Sequence, residues 1–186
     1  ELWKQICNEN NENNRDTNFI SIKSTATIRG ICFENDENRA FAVVNCQVFL
    51  SSVIINDSRG ITTQNAYLTM SSSAFVNIIA NTHTITGYTP TTGYITNVIF
   101  AYASTGIGRA LNTEHNTNWY CIDSGFFNCG YVIYIAEHAT SSAKLQRVYI
   151  ASTCTYGAYG YNITLSNCTN NAATPVTNLT SGGSIE

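Results

Sequence analysis

Charge is what this sequence has least of. Only 11% of its 186 residues are Asp, Glu, Lys or Arg, less than half of the globular norm of about 25%. Nine basic residues stand against twelve acidic ones, for a net charge of −3, and no basic block occurs. Affinity for phosphate needs clustered cations, so neither nucleic acid nor an anionic membrane surface is an expected partner. No apolar run approaches the roughly 18 residues of a membrane-spanning helix, so no membrane insertion is expected. Leu, Glu and Lys are few and no i, i+3, i+4 periodicity is sustained, which argues against helices. No Asn-Gly or Asp-Gly pair occurs, which argues against sheets built from tight hairpins. The seven cysteines include no C-x-x-C, and three scattered histidines form no ligand set, so no metal and no cofactor are expected. No G-x-S-x-G elbow is present, and Gly106–Arg109 lacks the Lys of a phosphate loop. The chain begins at Glu1 without the charged and apolar order of a leader, and is read as a segment of something longer.

What fills the space is Asn, Thr, Ser and β-branched or aromatic residues, within a chain that is 44% hydrophobic and has a mean hydropathy of −0.07. This is strand composition. The stretch Asn118–Ile135 sets the pattern: apolar runs Trp119–Ile122 and Tyr131–Ile135 flank a turn-rich knot holding Phe126 and Phe127. Variants of it recur around Cys46, Phe75, Ile99, Ile150 and Asn162. The apolar centres lie roughly 17 to 28 residues apart, in the range of repeat architectures. Short strands at that interval predict a solenoid, with inward columns of Ile, Val, Phe and Cys and with Asn at the corners. Residues 1–18 read as a polar segment, 19–170 as the β-helix, and 171–186 as a polar linker or tail. Within the body, 81–93 reads as a long loop or edge and 104–117 as irregular. Cys32, Cys46, Cys121 and Cys154 read as small buried hydrophobes, and a wholly unpaired set suits assembly in a reducing cytosol. Sequons at Asn56, Asn162, Asn167 and Asn178 are what an Asn- and Thr-rich chain shows by chance.

The pieces VVNCQVF, DSGFFNCG and NITLSNCTN, in so uncharged a chain, resemble the right-handed parallel β-helices of the pectate-lyase-like group, and within it bacteriophage tailspikes and related tail appendages. The resemblance covers about residues 19–170 and rests on style. It implies an all-β right-handed parallel β-helix, part of a longer trimeric fibrous protein. It further implies a virion protein of the tail, assembled in the host cytoplasm beside other tail proteins, which binds bacterial surface polysaccharide for host attachment. Two alternatives share the shape: a depolymerase, hydrolase or lyase, and a purely structural trimeric shaft. An ice-binding surface would need regular T-x-T ladders, which are absent.

Glycoside hydrolysis needs two carboxylates at a set separation. Glu114, Asp123 and Glu137 flank the opening stretch and are the catalytic candidates; the plainer reading makes Glu114 and Glu137 loop charges and Asp123 a turn former. A lyase needs a base and a charge neutraliser. Arg147 and Tyr149 share one strand face opposite Val148 and Ile150, with His138 close by; the plainer reading is an Arg lying along a Tyr ring. Trp119, Tyr134, Arg147 and Tyr149 are the glycan-binding candidates, because aromatic faces stack on sugar CH surfaces. Tyr131, Tyr134, Tyr149, Tyr156, Tyr159 and Tyr161 crowd the C-terminal third. Their plainer reading is a stacked column or a buried trimer interface.

Overall fold

The computed structural model describes residues 18–34, 39–135 and 140–177; Glu137 and His138 lie outside them, as does nearly all of the N-terminal segment. Among the described residues there is no helix, and parallel strands stack turn on turn into a β-solenoid. The first turn runs through β1 (Asn18–Ile22), β2 (Ala26–Arg29) and β3 (Cys32–Glu34). The second runs through β4 (Arg39–Val44), β5 (Gln47–Ser51) and β6 (Ile54–Asn56). The next two are single bent strands, β7 (Ile61–Ile78) and β8 (His83–Tyr102). There follow β9 (Arg109–Thr113), β10 (Thr117–Ile122) and β11 (Gly125–Phe127), then β12 (Tyr131–Ile135), β13 (Ser142–Gln146) and β14 (Tyr149–Ile150). The stack ends with β15 (Tyr156–Tyr159), β16 (Ile163–Ser166), β17 (Thr169–Asn170) and β18 (Thr174–Thr177).

Each turn contributes one strand or limb to each of three faces. The first face carries β1, β4, the opening limbs of β7 and β8, β9, β12, β15 and β18. The second carries β2, β5, the middle limbs, β10, β13 and β16. The third carries β3, β6, the closing limbs, β11, β14 and β17. Pairing in register stacks alternate side chains inward as columns. Ile61, Ile85, Leu111 and Ile133 form one, all fully buried. Phe75, Phe100 and Phe126 form another, with ring centroids 5.0 and 4.7 Å apart and nearly parallel planes.

The corners explain the asparagines. Among the described residues fifteen non-glycines have positive φ, and nine are Asn and two Asp, the residues that best tolerate the left-handed region. Neighbouring corners then bond through their amides: Asn65 donates to Asn45 and Asn77 to Asn56, each at 3.0 Å. A corner in this conformation re-aims the chain between faces without ending its ladder, which is why β7 and β8 each run unbroken around all three.

Several sequence expectations change. Residues 81–93 hold the opening limb of β8, with Thr89 and exposed Pro90 only at its corner. Residues 104–117 hold β9. β18 pairs with β15 through Tyr156↔Thr174, so the ladder runs past residue 170. Of the cysteines, Cys121, Cys129 and Cys154 are buried and Cys46 and Cys168 partly so, while Cys32 points outward and is exposed; all six are free thiols.

Close packing makes two core positions critical. Phe100→Ala removes the middle ring of the phenylalanine stack and should lower unfolding stability by about 3–5 kcal/mol. Gly93 is paired with Trp119, and a Cβ there would lie 2.1 Å from the indole. Gly93→Ala should therefore cost about 1–3 kcal/mol. Urea unfolding followed by tryptophan fluorescence checks both.

Candidate functional site

The sequence candidates separate on folding. Trp119 faces inward and is fully buried, its indole N–H donating to Thr113 Oγ1 at 3.0 Å. It therefore offers no ring to a ligand, which corrects its assignment as a sugar platform. Asp123 and Arg147 both stand at left-handed corners between the second and third faces, one turn apart. There they make a bidentate pair, Nε to Oδ1 at 2.7 Å and Nη2 to Oδ2 at 2.8 Å. They occupy the place that the asparagine ladder fills elsewhere. The guanidinium holds the Asp123 carboxyl below its usual range, which suits a structural anion better than an acid catalyst. Tyr149 is exposed on the third face against Phe127, with centroids 5.8 Å apart, and so is not partnered by Arg147.

Besides the Asp123–Arg147 pair, Glu114 and Tyr134 share a neighbourhood, on the first face. Asn112 links it: its amide accepts from Arg109 Nη1 at 2.8 Å and donates to Glu114 Oε1 at 2.9 Å. Arg109 lies over the Tyr134 ring at 3.5 Å from its centroid, and Tyr159 stacks on Tyr134 at 5.1 Å. Stacking partners thus take up Tyr134, leaving its edge and hydroxyl for a ligand. Tyr131 and Tyr156 stack likewise at 4.6 Å, and the two pairs meet edge to face. Asp123 belongs to another corner, so Glu114 and Asp123 do not form the carboxylate pair that hydrolysis needs.

The first face has a second feature that the sequence reading passed over. Register sets Arg39, His83 and Arg109 on one face, each two residues before a member of the Phe41, Ile61, Ile85 and Leu111 ladder, followed by Tyr131 and Tyr156. Beside its N-terminal half lies an open groove of about 430 Å³, lined by Arg39, Ala42, Val43, Val44, Thr62, Gln64 and Tyr88. Tyr88 is 37% exposed and no ring among the described residues stacks on it. Arg39 Nη1 and Arg109 Nε are shielded from solvent yet have no hydrogen-bond acceptor among the described residues. An aromatic wall, an amide, a hydroxyl and a guanidinium around one concavity make a general site for a polyhydroxylated ligand. The signal was present in the numbering: His83 and Arg109 are spaced 26 residues apart, one turn. Spread with Arg39 through three unlike segments, they do not look like a basic block.

Among the described residues no group of three or more His, Cys, Asp or Glu is placed to hold a metal ion. No protein-family model, curated protein or solved structure matches this chain.

Burial first, then the charges of Arg109 and Arg39, push the His83 imidazole below its ordinary value, against a smaller opposing pull from Glu114. The unfolded chain therefore takes up this proton before the folded one does. Stability should be full above about pH 6.5, the unperturbed histidine value, and fall as pH drops below it. His83→Gln should flatten that slope. Urea midpoints across this pH range for both proteins check it; an unchanged slope in the variant contradicts the assignment.

Proposed function

We propose that this solenoid is a glycan-binding segment of a viral tail appendage, attaching to bacterial surface polysaccharide through the first face. The observation that carries the reading is the groove: Tyr88 stands free for a sugar ring, with Gln64, Thr62 and Arg39 around it as hydrogen-bonding groups. The resemblance to tailspike β-helices and the low charge of the surface agree with it. The depolymerase alternative has less support, since Glu114 has no second carboxylate facing it among the described residues.

A second reading, the structural shaft of three chains, is favoured by the third face. Its outward column carries Ile54, Ile99 and Tyr149, 45%, 50% and 45% exposed, with Ala74 between them. Val76, Ala101 and Phe127 lie alongside, and between Ile54 and Thr169 no outward residue of this face is charged. Exposed apolar stripes of this kind mark protein interfaces. Three copies packing these faces together would leave the first face of each turned to solvent, so shaft and attachment are compatible.

Binding should be read on a panel of bacterial capsular and O-antigen polysaccharides. Tyr88→Ala should weaken the binding about tenfold, roughly the contribution of one aromatic face. A panel without a binder sinks the glycan reading, and new reducing ends in the mixture would restore the enzyme. For the third face, sedimentation should show a trimer that Ile99→Asp dissociates to monomer; a monomeric parent protein removes the shaft.

A further inference from the structure

We infer that the first face takes an acid-bearing glycan, one carrying carboxylate, sulfate or phosphate groups, laid along the solenoid axis. This rests on the glycan reading above and narrows it to a class of sugar chain. The argument begins from an imbalance. In a chain with so few charges, two arginines and a histidine, Arg39, His83 and Arg109, fall on one face. Adjacent strands are about 4.8 Å apart, so His83 and Arg109, paired on neighbouring turns, lie within reach of one ligand, with Arg39 close enough to act on His83 from the other side. Like charges directly opposite on neighbouring strands destabilise a sheet. The fold fills its other exposed columns mainly with uncharged residues, among them Thr, Ser, Tyr and Ile.

The row is also incompletely neutralised. Neither Arg39 nor Arg109 has a carboxylate partner among the described residues. Glu114 is reached from Arg109 only through the Asn112 amide. One N–H of each of these arginines lacks an acceptor, and the hydroxyl of fully buried Thr86, in the adjoining column, lacks a partner too. A neutral sugar could offer hydroxyl oxygens to these donors. An acid group offers more, because a planar guanidinium matches a carboxylate or sulfate with two parallel, charge-assisted bonds. The row runs from the groove at Arg39 to Arg109 at the tyrosine box, parallel to the axis. A polymer following it would lie lengthwise and could place several acid groups on successive turns.

The same geometry disfavours a nucleic acid. Single strands are held by successive bases stacking on several free aromatic faces, and the groove offers one, Tyr88. In the tyrosine box the rings stack on one another, and Tyr134 also carries Arg109, so what the box presents is edges and hydroxyls. Hydroxyls and edges suit sugar oxygens.

The test uses the whole chain with three probes: a polyuronate, neutral dextran and single-stranded DNA, each at low and at raised salt. Polyuronate should bind best, and raised salt should weaken it. Arg39→Gln and Arg109→Gln should each lower polyuronate affinity about ten- to a hundredfold, the loss expected for a charge-assisted bond. Arg39→Gln should melt no lower than the parent, since it relieves repulsion along the row, and a fall in its melting temperature would show a structural role instead and overturn the inference; Arg109→Gln also loses its bond to Asn112 and its contact over Tyr134, so its affinity is read well below its own melting temperature. Dextran binding as tight as polyuronate, indifferent to salt and to both arginine variants but lost in Tyr88→Ala, overturns the acid class and leaves the glycan reading standing. DNA binding tighter than polyuronate overturns the glycan class. Failure of polyuronate and dextran, together with the full bacterial panel, overturns both readings.

Discussion

The parallel backbone ladder between turns is the constraint on which everything else depends. Each turn satisfies its N–H and C=O groups on the turns above and below, not within itself. The ladder continues through the corners: Asp123 N–H donates to Gln146 O, and Arg147 N–H to Ser166 O, each within one step of the stack. Register is therefore shared by all three faces at once. A slip on one face would turn the inward columns of that face outward.

A shared register also means that each side chain meets its own counterpart one turn away. Like accumulates on like, and the consequence depends on chemistry. Phenylalanine stacks well on phenylalanine inside, and asparagine amides donate to asparagine amides at the corners. Tyrosines pair face to face outside. Charge is the exception, because a column of one sign repels itself. That gives a physical reason for the scarcity of charge: most positions in a stack of this kind are hostile to it. The corner pair Asp123–Arg147 escapes the penalty by alternating sign.

The fold was legible because its signals are local. Alternating apolar residues, asparagine-rich corners and the absence of hairpin dipeptides can each be read within a few residues. Where the reading failed, the ladder overrode local cues. Thr, Gly and Pro in 81–93 suggested a loop, yet a turn already ordered on both sides supplies the hydrogen bonds that make Thr84–Gly87 a buried strand. The glycines serve close approach: Gly87 makes room for Thr117 and Gly93 for Trp119. The candidate site was much less legible. Trp119 looked like a sugar platform because aromatic faces stack on sugar CH surfaces, but alternation along β10 turns it inward with Cys121. Arg39, Gln64 and Tyr88 lie far apart in sequence and meet only through register. Glu114 and Asp123 are close in sequence, but the intervening strand and corners carry them to different parts of the surface.

Repetition also bears on how such a chain could acquire a binding site. In a fold without register, clustering three cations requires several loops to converge. Here it requires one position per turn to change, because the ladder brings the products together. The cost is repulsion along the column, and it is paid continuously when no ligand is bound. That cost is lessened because the arginines are only partly buried, while burial and the neighbouring charges push the His83 imidazole toward its neutral form. A polymer with acid groups would reverse the sign of the term at each turn it covers. The length of the row, rather than the strength of any one contact, would then set the affinity, which is how a nearly uncharged surface can distinguish an acid polymer from its monomer.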